Sequence, residues 1–186
     1  MPEPNATDLR HAHDWTERLR KVAGPDIFAS SSVGDGLAER LAAEGKRWRC
    51  ILEIGTHRAA ATVVLACFAE TVISIDVVRQ PHVAKVLAAL PYNIRDRIAT
   101  VIVPDNDAKV LLARHLDFDL AFVDGGHTEG QTFLDFAITR ECGDVLFHDY
   151  PQCGRDARGV GMLVDRVKDG RFVCAPPFAW WKAAGA

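Results

Sequence analysis

The sequence predicts an α/β fold, a mostly parallel sheet with helices on both faces. Three observations predict it. Strand-like and helix-like segments alternate from Cys50 onward, the pattern of parallel β-α-β units. Four strand-like runs stop at polar clusters: Glu53-Ile54-Gly55-Thr56, Ser74-Ile75-Asp76, Val123-Asp124-Gly125-Gly126-His127, and Phe147-His148-Asp149-Tyr150. In an open parallel sheet, the crevice outside the carboxyl ends of the strands is where ligands bind. Finally, two β-like runs separated by Pro176-Pro177 give the chain a hairpin-like ending.

Each element has a local signal. Asp8 to Val22 reads as a helix, with Trp15, Leu19 and Val22 on one stripe and Gly24-Pro25 after it. A second helix is expected from Ser32, with Asp35 as a near capping box, Val33, Leu37 and Leu41 as its apolar side and Gly45 as its stop. Cys50 to Ile54 is a strand. Ala59 to Glu70 is apolar nearly all round, so its helix should be buried. Thr71 to Val77 is a β-branched strand, and Pro81 to Leu90 is a helix with proline in its first turn. Ala99 to Val103 is a strand, Asp107 to His115 a helix, and Phe118 to Val123 a strand. The helix Thr128 to Arg140 starts with Thr128 and Gln131 at capping-box spacing. Val145 to Phe147 is the next strand, and Val160, Leu163, Val164 and Val167 mark the last helix. Arg171 to Ala175 and Phe178 to Lys182 complete seven strand-like runs.

At 186 residues the chain suits one domain, burying roughly 70% of its unfolded surface. Its net charge of −3, with no basic stripe, argues against nucleic acid as a partner. No apolar run approaches a membrane span, and the polar N-terminus does not read as a signal peptide. The five cysteines are odd in number and contain no C-x-x-C pair, so they read as reduced core fillers of a cytoplasmic protein.

The first polar cluster is a strand, a glycine turn and a helix start. Gly55 allows close backbone approach, and the helix N-terminus offers free N–H groups. Asp76, ending the next strand, stands where a nucleotide-binding fold places the acid for ribose hydroxyls. A G-x-G-x-x-G run is missing, which favours a nucleoside without phosphates over a dinucleotide. Asp105 and Asn106 are candidates for the exocyclic amine of an adenine, or for an N-cap. Asp124, His148 and Asp149 are candidate metal ligands, two carboxylates suiting a hard cation such as Mg²⁺; two histidines would also admit zinc, though no His-x-x-x-His or Cys pair supports it, and capping a helix is the plainer role for either aspartate. His127, on a glycine turn after Asp124, is a candidate general base, since imidazole titrates near pH 6.5. Tyr150 packs in the cleft or under a loop.

Together, Leu52 to Thr56, Ile75-Asp76, Phe118 to Thr128 and Phe147 to Tyr150 resemble a class I S-adenosylmethionine-dependent methyltransferase. The chain is most similar to the small group of macrocin-type O-methyltransferases (methyltransferase family 24). The resemblance covers about Trp48 to Lys182. It implies a seven-stranded Rossmann-like sheet with an antiparallel last strand. Residues 47–186 would be the cofactor-binding part, and residues 1–46 an N-terminal helical segment of the same domain. It implies a cofactor site from Glu53, Gly55, Thr56, Asp76, Asp105, Asn106 and Asp124. Glu53 and Gly55 would border the methionine part, Asp76 the ribose, and Asp105 or Asn106 the adenine. Carboxylates matching Asp124 and Asp149 would hold Mg²⁺, and His127 would be the base. His148 stands where such enzymes also carry an acid. Ala59-Ala60-Ala61 departs from the Gly-Gly-Ser common in the group.

The expected activity is metal-assisted O-methylation of a small hydroxylated acceptor. The rivals are a metal-independent methyltransferase, a non-catalytic cofactor-binding protein and, disfavoured by the missing glycines, a nicotinamide oxidoreductase. Trp15 and the C-terminal tryptophans are candidates for a self-association patch.

Overall fold

The computed structural model describes residues 6–23, 36–141, 143–151 and 158–183. Its elements, in chain order, are α1 (Ala6–Ala23), α2 (Leu37–Ala42), β1 (Trp48–Ile54), α3 (Ala60–Phe68), β2 (Ala69–Asp76), α4 (Pro81–Ala88), α5 (Tyr92–Arg95), β3 (Ile98–Ile102), α6 (Asn106–His115), β4 (Leu120–Val123), α7 (Glu129–Thr139), β5 (Asp144–Phe147), α8 (Gly159–Arg166), β6 (Phe172–Ala175) and β7 (Phe178–Trp181). The sheet has seven strands in the order β3-β2-β1-β4-β5-β7-β6. β1 to β5 are parallel, and β7 runs antiparallel to both its neighbours. This is the Rossmann-like architecture expected.

The core lies on both faces of the sheet because successive strand residues point to opposite sides. Ile51, Leu120, Phe122, Leu146 and Trp180 join one cluster, with α1 to α4 over it. Leu52, Ala121, Val123, Val145 and Trp181 join the other, under α6 to α8. β4, β5 and β7 are buried along their whole length, as central strands covered on both faces must be. Trp180 and Trp181 are therefore both core residues, at 0% and 3% exposure, and cannot form a surface patch. Trp15 is half-buried against the first cluster.

Every residue of α3 is buried, between the sheet and α1. The helix ends earlier than its apolar run suggests, because β2 begins at Ala69 with no intervening loop. Two distant arginines take up carbonyls at this junction: Arg47 donates to Cys67 O of the helix and Ala69 O of β2, and Arg97 to Ala66 O. Those partners cannot be seen from the helix's own sequence. The short α5, capped by Pro91, was also not anticipated, since four residues carry no period. The Ser32 start, Val33 and Asp35 lie outside the described residues, while Leu37 and Leu41 are fully buried as expected. Cys50 and Cys67 fill the core, but Cys174 is exposed on β6. Among the described residues, no helix is long and apolar enough to cross a membrane.

Candidate active site

The chain winds from β1 outward through β2 to β3, then returns to place β4 on the other side of β1. At such a reversal the loops leave to opposite faces and a crevice opens between them. A cavity of about 740 Å³ lies there. Register decides what lines it. Ile54 pairs with Ile75 and with Val123, and Val123 pairs with Phe147. The next residues, Gly55, Asp76, Asp124 and His148, therefore form one row across four strand ends.

Gly55 has φ +104, and a Cβ there would overlap the Asp124 carbonyl. The glycine is thus required first by the close approach of β1 and β4, whatever ligand the cavity takes. Thr56 is buried and shares a 2.7 Å hydrogen bond with the Ser74 hydroxyl. Glu53 does not line the cavity. It is fully buried beneath, accepting a 2.6 Å hydrogen bond from Thr62 Oγ1. Burial pushes its carboxyl up to about 8, against the opposing pull of the Ser74 and Thr62 hydroxyls. Burial thus favours its neutral form.

On the β2 and β3 side, Asp76 accepts from His57 N–H at 2.8 Å and from Val78 N–H at 3.3 Å, which aims its carboxylate along the cavity wall. Asp105 is the N-cap of α6, accepting from Ala108 N–H at 2.8 Å, and Asn106 opens that helix. Both line the cavity, so capping α6 does not remove Asp105 from its wall.

On the β4 and β5 side, four side chains interlock. His148 Nδ1 lies 3.1 Å from Asp124 Oδ1 and 3.2 Å from Asp149 Oδ1. His127 Nδ1 lies 2.8 Å from Asp149 Oδ2. Asp149 has φ +63, a left-handed conformation uncommon outside glycine. The hydrogen bond that His127 Nδ1–H donates to Asp149 holds the imidazole above its usual range, with burial pulling the other way. One ligand atom each from Asp124, His148 and Asp149 lie within 4.8 Å of one another, so two carboxylates and an imidazole fit a divalent cation. Among the described residues neither aspartate caps a helix; Thr128 caps α7. Tyr150 packs half-buried against the second core cluster.

Two cavity residues, Lys109 and Gln131, carry no sequence signal as site residues. Lys109 and Gln131 both bond the buried Asp135, joining α6 to α7 behind the cavity wall. The Lys109–Asp135 pairing joins two helices and leaves no local signal, while Gln131 and Asp135 lie four residues apart within α7. Arg58, which with His57 reads as either a ligand contact or a solvated turn, lines the cavity, and its Nη1 is buried with no hydrogen-bond partner among the described residues. Beside it, α3 begins without a side-chain cap, and Ala60 and Ala61 face the cavity. Ala59 adopts φ +63, a conformation glycine enters freely.

No protein-family model and no curated protein matches the chain. Solved structures of methyltransferases do. An O-methyltransferase from Bacillus cereus in complex with S-adenosylhomocysteine (SAH) has a TM-score of 0.63 at 15% identity, covering 97% of this chain and 92% of that one. Cofactor-bound Rv0187 from MTB gives 0.61 at 19% identity, covering 96% and 90%. The O-methyltransferase TomG from Streptomyces achromogenes, in complex with S-adenosylmethionine (SAM), gives 0.60 at 15% identity, covering 93% and 89%. The chain has the fold of these structures, two of which are O-methyltransferases.

Proposed function

We propose that this chain is a SAM-dependent methyltransferase acting on a hydroxyl group of a small acceptor. The observation that carries the reading is the His127–Asp149–His148–Asp124 cluster, set at one end of a cavity whose other side presents Asp76 and Asn106. Asp76 suits ribose hydroxyls as an acceptor, and Asn106 suits an adenine amine. Arg58 and the uncapped start of α3 suit the carboxylate of the methionine part. SAM supplies an electrophilic methyl on a sulfonium, and its transfer to oxygen leaves SAH.

His127 is the base. With Nδ1 held by Asp149, Nε2 is the nitrogen left to take the acceptor proton. Asp124, His148 and Asp149 would hold a divalent cation, whose Lewis acidity makes a bound hydroxyl easier to deprotonate. The motifs from Asp124 to Thr128 and Phe147 to Tyr150 favour the macrocin-type group within the class. A second reading dispenses with the metal. The His148 imidazole itself bridges both carboxylates, and His127 then works alone.

Titrating SAH into the purified protein by calorimetry, with Mg²⁺ and with chelator, tests the cofactor. Micromolar binding under both conditions is expected, and none under either sinks the proposal. Turnover that survives the chelator selects the metal-free reading.

A further inference from the structure

We propose that the cluster at the ends of β4 and β5 selects a first-row transition dication over Mg²⁺, because His148 supplies a fixed imidazole nitrogen to an otherwise carboxylate site. The inference rests on the reading that Asp124, His148 and Asp149 hold a cation, and it names the class of ion.

The donor atoms carry the argument. Mg²⁺ takes oxygen ligands in near-ideal octahedral geometry and gives up its waters reluctantly. Imidazole suits iron, nickel, copper and zinc, and affinity at mixed sites climbs along the first-row series from Mn²⁺ to Cu²⁺. Here the nitrogen that faces the two carboxylates is Nδ1, at 3.1 and 3.2 Å from their oxygens. The ring cannot readily leave that position. The His148 side chain is 8% exposed, its backbone N–H donates to Val123 O, and its ring packs 5.4 Å from the Phe178 ring. Any ion gathered by Asp124 and Asp149 at this point meets the nitrogen as well.

Asp149 adds to the selectivity. Its Oδ2 is taken by His127, which leaves Oδ1 on the His148 side. The carboxylate is thus oriented by a hydrogen-bonded outer partner, an arrangement that orients metal ligands in general. Two carboxylates balance the charge of a dication, and the neutral imidazole adds affinity without adding charge. An acid in place of His148 would give an all-oxygen site with one more negative charge, better matched to a hard cation.

The test uses the full chain stripped with chelator, then titrated separately with Co²⁺ and Mg²⁺ by calorimetry. Visible absorption reports nitrogen ligation to Co²⁺. Co²⁺ should bind at least about tenfold tighter than Mg²⁺. His148→Glu should erase most of that margin, and Asp124→Asn should weaken both ions by about tenfold or more. Mg²⁺ binding as tightly as Co²⁺ in the unaltered chain overturns the proposal. So does Co²⁺ binding that neither substitution changes, since the ion then sits elsewhere. SAH titration in chelator, run on every variant, reports folding and the methyltransferase reading separately. Loss of SAH binding with the Co²⁺ margin intact would remove that reading and leave the ion selectivity standing; SAH binding without the margin would do the reverse.

Discussion

Asp124 and His148 meet because Val123 pairs with Phe147 across β4 and β5, so the next residue of each strand stands beside the other, with His148 Nδ1 3.1 Å from Asp124 Oδ1. The same row contains Gly55 and Asp76. A single register therefore assembles the site, and changes at its members have distinct expected outcomes.

Gly55→Ala tests the row itself. The position has φ +104, and the added methyl would overlap the Asp124 carbonyl. The strand ends must separate, at a cost of about 2 kcal/mol or more. A lower urea midpoint with unchanged slope is the expected result, and SAH affinity should fall with it. Wild-type stability would show that the loop relaxes freely.

His127 should behave as a base whose pKa depends on Asp149. Its imidazole is held above the usual 6.5, first by the Asp149 hydrogen bond. The neutral, proton-accepting form then dominates only above that raised value, so a base-limited rate rises with pH through it. In metal-free protein, Asp149→Asn should move the His127 titration to lower pH, read by NMR. His127→Gln should cut kcat by about 10²- to 10⁴-fold while SAH affinity stays within a few-fold.

Glu53 should make stability fall with rising pH. Its carboxyl ordinarily titrates at 4.5 but at about 8 when buried in the folded chain. Between those values the folded state binds more protons than the unfolded one, so stability is lost as pH climbs from 4.5 to 8 and is level outside that window. At about 1.4 kcal/mol per unit, the loss is on the order of a few kcal/mol. Glu53→Gln should flatten that slope, measured by denaturant midpoints at pH 5 and pH 8. Parallel slopes in the two proteins would mean Glu53 ionises freely.

Lys109→Met should strand the carboxylate of Asp135, which is fully buried and already raised by burial against the pull of Lys109. Breaking one side of such a pair costs about 3 kcal/mol or more. Asp135→Leu added to Lys109→Met should recover most of the loss, because no buried charge then remains. If the double variant is no more stable than the single one, packing and not charge explains the effect.

Much of this arrangement is legible along the chain. The β-branched run into Asp76, the glycine after Ile54 and the Thr128 cap act within a few residues, so their signals are local. They determine the strand and helix order, the parallel sheet, and the rim on which Asp76, Asp124, His127, His148 and Asp149 gather. Tertiary structure alone decided what those side chains touch. It put Glu53 under the cavity, ended α3 on Arg47 and Arg97, and buried both Trp180 and Trp181. It also joined Lys109 to Asp135 and set the His148 nitrogen between two carboxylates. These outcomes depend on strand register and helix packing between segments far apart in sequence, and no local period or turn residue encodes those distances.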